Sequence, residues 1–517
     1  MSTTRRDLLR AAGLSTAALA LGACSDKTPP GQGTPFPTLP PRPTTTVPPG
    51  TTASTPPSGG PPDWQALRDR LGGALVLPDD RSYAVAKQSF NPVFDSRAPA
   101  AVARCSSAEH VRACVETARN ARIPIAARGG GHSYAGYSVP DRGLVVDLGG
   151  MSDVKVNADG TATIGAGARL MGVYTALAEA GRCLPAGSCP TVGIAGLTLG
   201  GGIGVLSRKY GLTCDKLVSA QVVTADGRLR TASAESERDL FWALRGGGGG
   251  NLGIVTSFTF ATEPAPGIAV FGLRFPAGSA VEVAGAWQEW MGGAPDELWS
   301  SLVISGGNPP SARISGSFVG PSAALNDHLA RLIGRIGRSP SSKLVQDKGF
   351  LDAMRYYGGC STRPAAQCRP QSEGGALGRD AFVASSRILT RPADAGRLVE
   401  LMNGRTGMDL LVDSLGGAVS RVDSRATAFP HRSAFASAQI YQGTGGAGAQ
   451  RATQAVSEVR DGLGQLVGQA AYVNYIDPSL PDWAAAYYGD NLGVIRDLAR
   501  KYDPSGLFTF AQGFARA

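Results

Sequence analysis

Apolar positions recur with helical spacing over residues 108–121, then condense into the short run Ile123-Pro124-Ile125-Ala126-Ala127, which stops at a glycine cluster. Similar short apolar runs at 144–148, 161–164, 217–224 and 256–262 predict strands, and 170–180 predicts a helix among them. This α+β alternation with Gly-rich connections fills 63–265 and predicts a first domain. From Ile268 onward, strand-like runs at 269–273 and 314–319 alternate with longer amphipathic stretches at 281–291 and 323–336. That texture predicts a second domain over 266–468, an antiparallel sheet covered by helices on one face. The last stretch, 469–517, is rich in aromatic motifs and is expected to return to the first domain.

The N-terminus follows another rule. Arg5-Arg6-Asp7-Leu8-Leu9-Arg10 is a twin-arginine pattern, and the apolar stretch 11–23 has 13 residues, whereas a membrane-spanning helix needs about 20. Leu21-Gly22-Ala23-Cys24 looks like a bacterial lipobox, in which the Cys becomes a lipidated N-terminus; the alternative is an ordinary cleavable signal with Cys24 incidental. Residues 1–24 are therefore expected to direct export, leaving the protein extracytoplasmic and anchored by lipid. Residues 25–62 hold 13 Pro among 38. They read as an extended tether without a core.

Composition narrows the function. A chain of 517 residues suits two or three domains. Net charge is +9, but only 18% of residues are charged and no basic run stands out, so nucleic acid is not an expected partner. Four His and no Cys-x-x-Cys or His-x-x-x-His spacing argue against a metal site.

Three glycine clusters carry the chemistry. In Arg128-Gly129-Gly130-Gly131-His132-Ser133, directly after a predicted strand, consecutive glycines let backbone N–H groups approach a pyrophosphate. A His on the rim of that turn is a potential nucleophile toward an electrophilic cofactor carbon; otherwise it is a turn residue. The second cluster runs from Gly187-Ser188-Cys189-Pro190-Thr191-Val192-Gly193 through Gly196 to Gly200-Gly201-Gly202-Ile203-Gly204, alternating small and apolar residues as backbone lining a flat ring would. The third is Asp239 to Arg245, then Gly246 to Gly250, ending in Gly253-Ile254-Val255. No Gly-x-Gly-x-x-Gly joins a strand to a helix with an acidic residue about 20 further on, which disfavours a nicotinamide-binding Rossmann unit.

Together these motifs resemble the vanillyl-alcohol oxidase/p-cresol methylhydroxylase flavoproteins, most closely the berberine bridge enzyme-like branch, over about 90–265 and 420–517. The resemblance implies a two-part PCMH-type FAD-binding domain, completed by the C-terminal segment, with a substrate domain over the flavin. It implies that His132 bonds to the flavin 8α carbon and Cys189 to flavin C6, making the FAD bicovalent; the other reading of Cys189 is a disulfide with Cys183 or Cys214. With Cys24 and Cys189 so used, Cys105, Cys114, Cys183, Cys214, Cys360 and Cys368 remain for up to three disulfides, Cys360–Cys368 being the easiest to imagine.

Tyr472-Val473-Asn474-Tyr475 resembles the family's Tyr-x-Asn-Tyr motif. It implies Tyr472 as the base that deprotonates a substrate hydroxyl, supported by Asn474 or Tyr475. Relatives also place an acid or amide on the strand at 437–441, where an ungapped alignment puts Ile440. Gln439 or Tyr441 could substitute only with a shifted or bulged strand, and His431 reads as a structural hinge. Val192 matches a position where Val goes with oxygen reactivity. The implied reaction is oxidation of an alcohol on a sugar, oligosaccharide or glycosylated metabolite, with hydride passing to FAD and oxygen becoming hydrogen peroxide. The rivals are a flavin dehydrogenase with a quinone or protein acceptor, and a lipid-anchored binding protein that retains the fold.

Overall fold

The computed structural model describes residues 60–444 and 448–514. The twin-arginine signal, Cys24 and nearly all of the 25–62 tether lie outside the described residues.

The periodic stretch at 108–121 is a helix, Ala108–Ala121, because its ends are well defined. The Ser107 hydroxyl accepts from the His110 N–H at 3.2 Å, and Arg122 turns left-handed at φ 55°. Val111, Cys114, Val115 and Ala118 form its buried face. The helix connects strands Ala101–Arg104 and Ile125–Arg128, each parallel to Leu144–Asp147 between them. Such parallel neighbours need a crossover of this length. A five-stranded antiparallel sheet follows, ordered 154–156, 161–165, 254–261, 217–223, 229–233. Both sheets share one core, with Val115, Val146, Ile164 and Phe258 among its buried residues.

The second half is a seven-stranded antiparallel sheet, ordered 342–349, 267–274, 311–319, 298–305, 408–414, 436–443, 382–389. Side chains alternate between its faces. On one, Phe271, Leu302 and Ile440 pack with Trp287, Leu329 and Val459 from helices Ala280–Gly292, Ser322–Ile336 and Gly448–Val467. The other face, carrying Val303, Leu411 and Gln439, looks toward the first domain. The expected α+β class, with helices covering an antiparallel sheet, is the observed one.

Beyond residue 470 the chain packs back into the first core through Tyr487, Tyr488 and Ile495. The Tyr502 hydroxyl reaches Glu237 at 2.8 Å and Asp239 at 2.7 Å. Of the three disulfides that six cysteines would permit, one forms, Cys360–Cys368. Cys105, Cys114, Cys183 and Cys214 are buried free thiols; burial in apolar core needs no partner for a thiol. Among the described residues no helix is long and apolar enough to cross a membrane.

Candidate active site

A cavity of about 580 Å³ lies between the first domain and the open face of the seven-stranded sheet. That volume lies in the range of cofactor pockets. One wall is built from the turns at 129–134, 187–189, 192–193 and 248–255, with 508–512 from the C-terminus. The sheet contributes Arg274, Trp299, Arg313, Asp413 and Gln439.

The first two glycine turns touch each other. A Cβ on Gly130 would overlap the backbone nitrogen of Gly193, so only hydrogen permits the approach. Across this contact the His132 Nε2 lies 2.9 Å from the Thr191 hydroxyl, and the Cys189 Sγ lies 3.6 Å from the same oxygen. The two distances cap the separation of imidazole and thiol at their sum, 6.5 Å. Phe90 stacks on the imidazole, ring centroids 3.9 Å apart. Turns separated by more than fifty positions therefore present two nucleophilic side chains to one cavity.

Of the other expected cofactor residues, Gly129, Gly131, Ser133, Val192, Gly196, Gly204, Gly253, Ile254 and Val255 also line the cavity. Four stand behind it. The Arg128 guanidinium turns away to Asp147 at 2.7 Å and to the carbonyls of Ala86 and Gln88, an arrangement that secures the strand end. Thr191 is buried and acts through its hydroxyl on His132 and Cys189. Gly200 and Gly201 leave space for Asn474 and for Phe429 and Tyr472, not for a ligand.

The largest correction concerns Tyr472. Its ring is buried outside the cavity lining. Its hydroxyl accepts from the N–H groups of Gly202 at 2.9 Å and Ile203 at 3.3 Å, and from the Asn474 amide at 2.9 Å. Burial pushes the phenol up to about 12, against these bonds, which pull it down. Tyr472 thus anchors the C-terminal segment to the second glycine cluster. Three residues on, at the end of the short 3₁₀ turn Val473–Tyr475, Tyr475 faces the cavity. It stacks on Tyr134 at 5.5 Å and 10°, and the Gln439 amide donates to the Tyr134 hydroxyl at 2.6 Å. Asn474 also lines the cavity and donates to the Leu197 carbonyl at 2.9 Å.

The alignment that put Ile440 at the substrate face is corrected too. Ile440 packs into the helix-covered core, while Gln439 faces the cavity on a strand whose register runs unbroken against both neighbours. No bulge is involved; the alignment was one residue out of phase. Tyr441 shares that face and donates to Asp380. His431 donates from Nε2 to the Ala471 carbonyl at 2.9 Å, and burial lowers its pKa to about 4. Its neutral ring holds the chain just before Tyr472.

A glycine-walled cavity with two nucleophiles at one end fits FAD. Comparison with known proteins agrees. Residues 99–233 match an FAD binding domain model and 471–514 a "berberine and berberine like" model. The chain is 33% identical over 456 residues to an uncharacterised FAD-linked oxidoreductase of Bacillus subtilis, covering 86% of this chain and 97% of that one. It is 33% identical over 484 residues to the xylooligosaccharide oxidase of Thermothelomyces thermophilus, covering 86% and 94%. A solved structure of Physcomitrella patens BBE-like 1 superposes with TM-score 0.81 at 29% identity, covering 87% of this chain and 98% of that one. Two matched models whose residues line one cavity, with full-length relatives above 30% identity, place this chain in the berberine bridge enzyme-like family of FAD-linked oxidoreductases.

Proposed function

We propose that this enzyme oxidises an alcohol group of an oligosaccharide or other sugar-like substrate, using FAD attached through both His132 and Cys189. The observation that carries the reading is the convergence of imidazole and thiol on the Thr191 hydroxyl at the cavity wall. FAD, when bound, supplies the hydride acceptor, and its reoxidation by oxygen yields hydrogen peroxide. The protein supplies position and a base. Tyr475, acting as the phenolate, takes the hydroxyl proton at its phenolic oxygen, while Tyr134, held by the Gln439 amide, stacks on its ring and fixes it. Arg274, Arg313 and Asp413 on the sheet offer charged hydrogen-bond groups to the far end of a polyhydroxy substrate. Relatives named xylo-, chito- and glucooligosaccharide oxidases support the substrate class. The twin-arginine pattern and Cys24 support export and lipid anchoring.

The test is flavin retention after denaturation, by absorbance and mass, for wild type, His132→Ala, Cys189→Ala and the double variant. Each single variant should keep its flavin through the remaining link, and the double variant should release it. Wild type that sheds its flavin on denaturation overturns the bicovalent assignment. In parallel, peroxide release on xylo-, cello- and chito-oligosaccharides in air tests the chemistry; flavin that is reduced by none of them removes the sugar assignment.

A further inference from the structure

We infer that Arg169 is a positioning residue that holds the two flavin-bearing turns in the register both attachments require. The inference rests on the reading of His132 and Cys189 as attachment points. Arg169 immediately precedes helix Leu170–Glu179, and its backbone forms a bridge with Gly193 of the second turn. Its guanidinium then crosses to the first. Nη1 donates to the Gly130 carbonyl at 3.0 Å and to the Thr191 carbonyl at 2.8 Å. Gly130 stands two residues before His132, and Thr191 two residues after Cys189. Thr191 is therefore held on one side by its carbonyl, while its hydroxyl meets both nucleophiles on the other. A shift of Thr191 changes the spacing of imidazole and thiol, which is the quantity a double attachment must match to a rigid ring system.

The guanidinium is itself fixed from behind. Its Nε donates to both Glu373 carboxylate oxygens, at 3.0 and 3.1 Å, and Nη2 also pairs with Glu373. Glu373 sits on the short turn Gln371–Glu373, just beyond the loop closed by Cys360–Cys368. Those two cysteines pack on Met171, whose N–H donates to the Pro190 carbonyl at 3.1 Å beside Cys189. The planar fork of Arg bridges two carbonyls and a carboxylate at once, which the single ammonium of Lys does not reproduce. A substrate-domain loop thereby stabilises the geometry of the cofactor turns.

The experiment measures, by mass spectrometry of denatured protein, the fractions carrying two, one and no flavin links. The variants are Arg169→Ala, Arg169→Lys, Cys189→Ala and Cys189→Ala with Arg169→Ala. Two charge-assisted bonds of this kind are worth enough that the doubly linked fraction should fall about tenfold in Arg169→Ala, with Arg169→Lys between it and wild type. In the Cys189→Ala background, Arg169→Ala should lower the His132-linked fraction far less than it lowers the doubly linked fraction when Cys189 is present, because a single link needs no two-turn register. Thermal unfolding of flavin-free Arg169→Ala, beside Arg335→Ala at the exposed Arg335–Glu289 pair, separates positioning from loss of fold; if Arg169→Ala does not fold, Arg169→Lys carries the comparison. Arg169→Ala doubly linked to the wild-type extent overturns the inference, as does an equal loss of His132 attachment with and without Cys189. Wild type that never carries a second link overturns the bicovalent reading instead.

Discussion

The ring of Phe90 lies flat against the imidazole of His132, planes 16° from parallel and centroids 3.9 Å apart. The stack limits rotation of the imidazole about its bond to Cβ, and the 2.9 Å contact to Thr191 selects the remaining orientation. Phe90 itself is anchored, its N–H donating to the Gly131 carbonyl at 2.9 Å.

From this follows a prediction for Phe90→Leu, which keeps bulk and removes the flat face. A stacked pair contributes about 0.5–1.5 kcal/mol, so flavin attachment at His132 should slow by roughly two- to tenfold. Phe90→Tyr should attach at the wild-type rate. Time-resolved appearance of acid-stable flavin in apoprotein mixed with FAD is the measurement, and equal rates for Leu and Phe would remove the stack from the account.

Tyr472 and Tyr475 should respond in opposite ways to the same change. Tyr475→Phe should slow flavin reduction by substrate by about a hundredfold or more with the cofactor retained. Tyr472→Phe instead leaves two backbone N–H groups and an amide without their acceptor, so the folded state should lose about 1–3 kcal/mol. Alkali adds a signature. The unfolded chain releases this phenolic proton near pH 10 and the folded chain near 12, so wild type loses stability across that interval and Tyr472→Phe loses less. Stopped-flow reduction and denaturation at pH 8 and 11 decide; a larger rate loss in Tyr472→Phe restores it as the base.

This pair also shows where sequence reading stops. Strands, helices and the three glycine turns were legible because period and punctuation are local: Ser107 and Arg122 bound their helix within a few positions. His132 and Cys189 were legible as chemistry because each sits in a distinctive turn. Which of two tyrosines in one short motif faces a cavity is decided by Gly202 and Ile203, some 270 positions upstream. The same holds for Gln439, whose facing depends on sheet register. Arg169 and Phe90 lie in no motif, and their partners are distant in sequence.

Gly130 and Gly196 offer a contrast within the cofactor turns. At Gly130 a methyl group would collide with the Gly193 backbone, whereas at Gly196 nothing lies within 4 Å. Gly130→Ala should therefore force the turns apart, giving protein with little bound flavin and a lowered melting temperature. Gly196→Ala, inside helix Ile194–Leu199, should leave the apoprotein as stable as wild type or up to about 1 kcal/mol more stable. Melting curves of flavin-free protein check both, and a tolerated Gly130→Ala would contradict the close approach.

Acid should act through His431. Its donated bond to the Ala471 carbonyl precedes Tyr472 by one residue, so this imidazole helps hold the segment that anchors the glycine cluster. Burial lowers its pKa from 6.5 to about 4, with the backbone bonds opposing. Between those values the unfolded chain binds a proton that the folded chain does not, so unfolding becomes easier as pH falls from about 6.5 to 4, and the contribution is constant outside that window. His431→Gln supplies an amide donor for Ala471 without a titrating group. Its stability should fall less than that of wild type between pH 7 and 4.5 in urea denaturation, and parallel losses in the two proteins would assign the acid sensitivity to other groups.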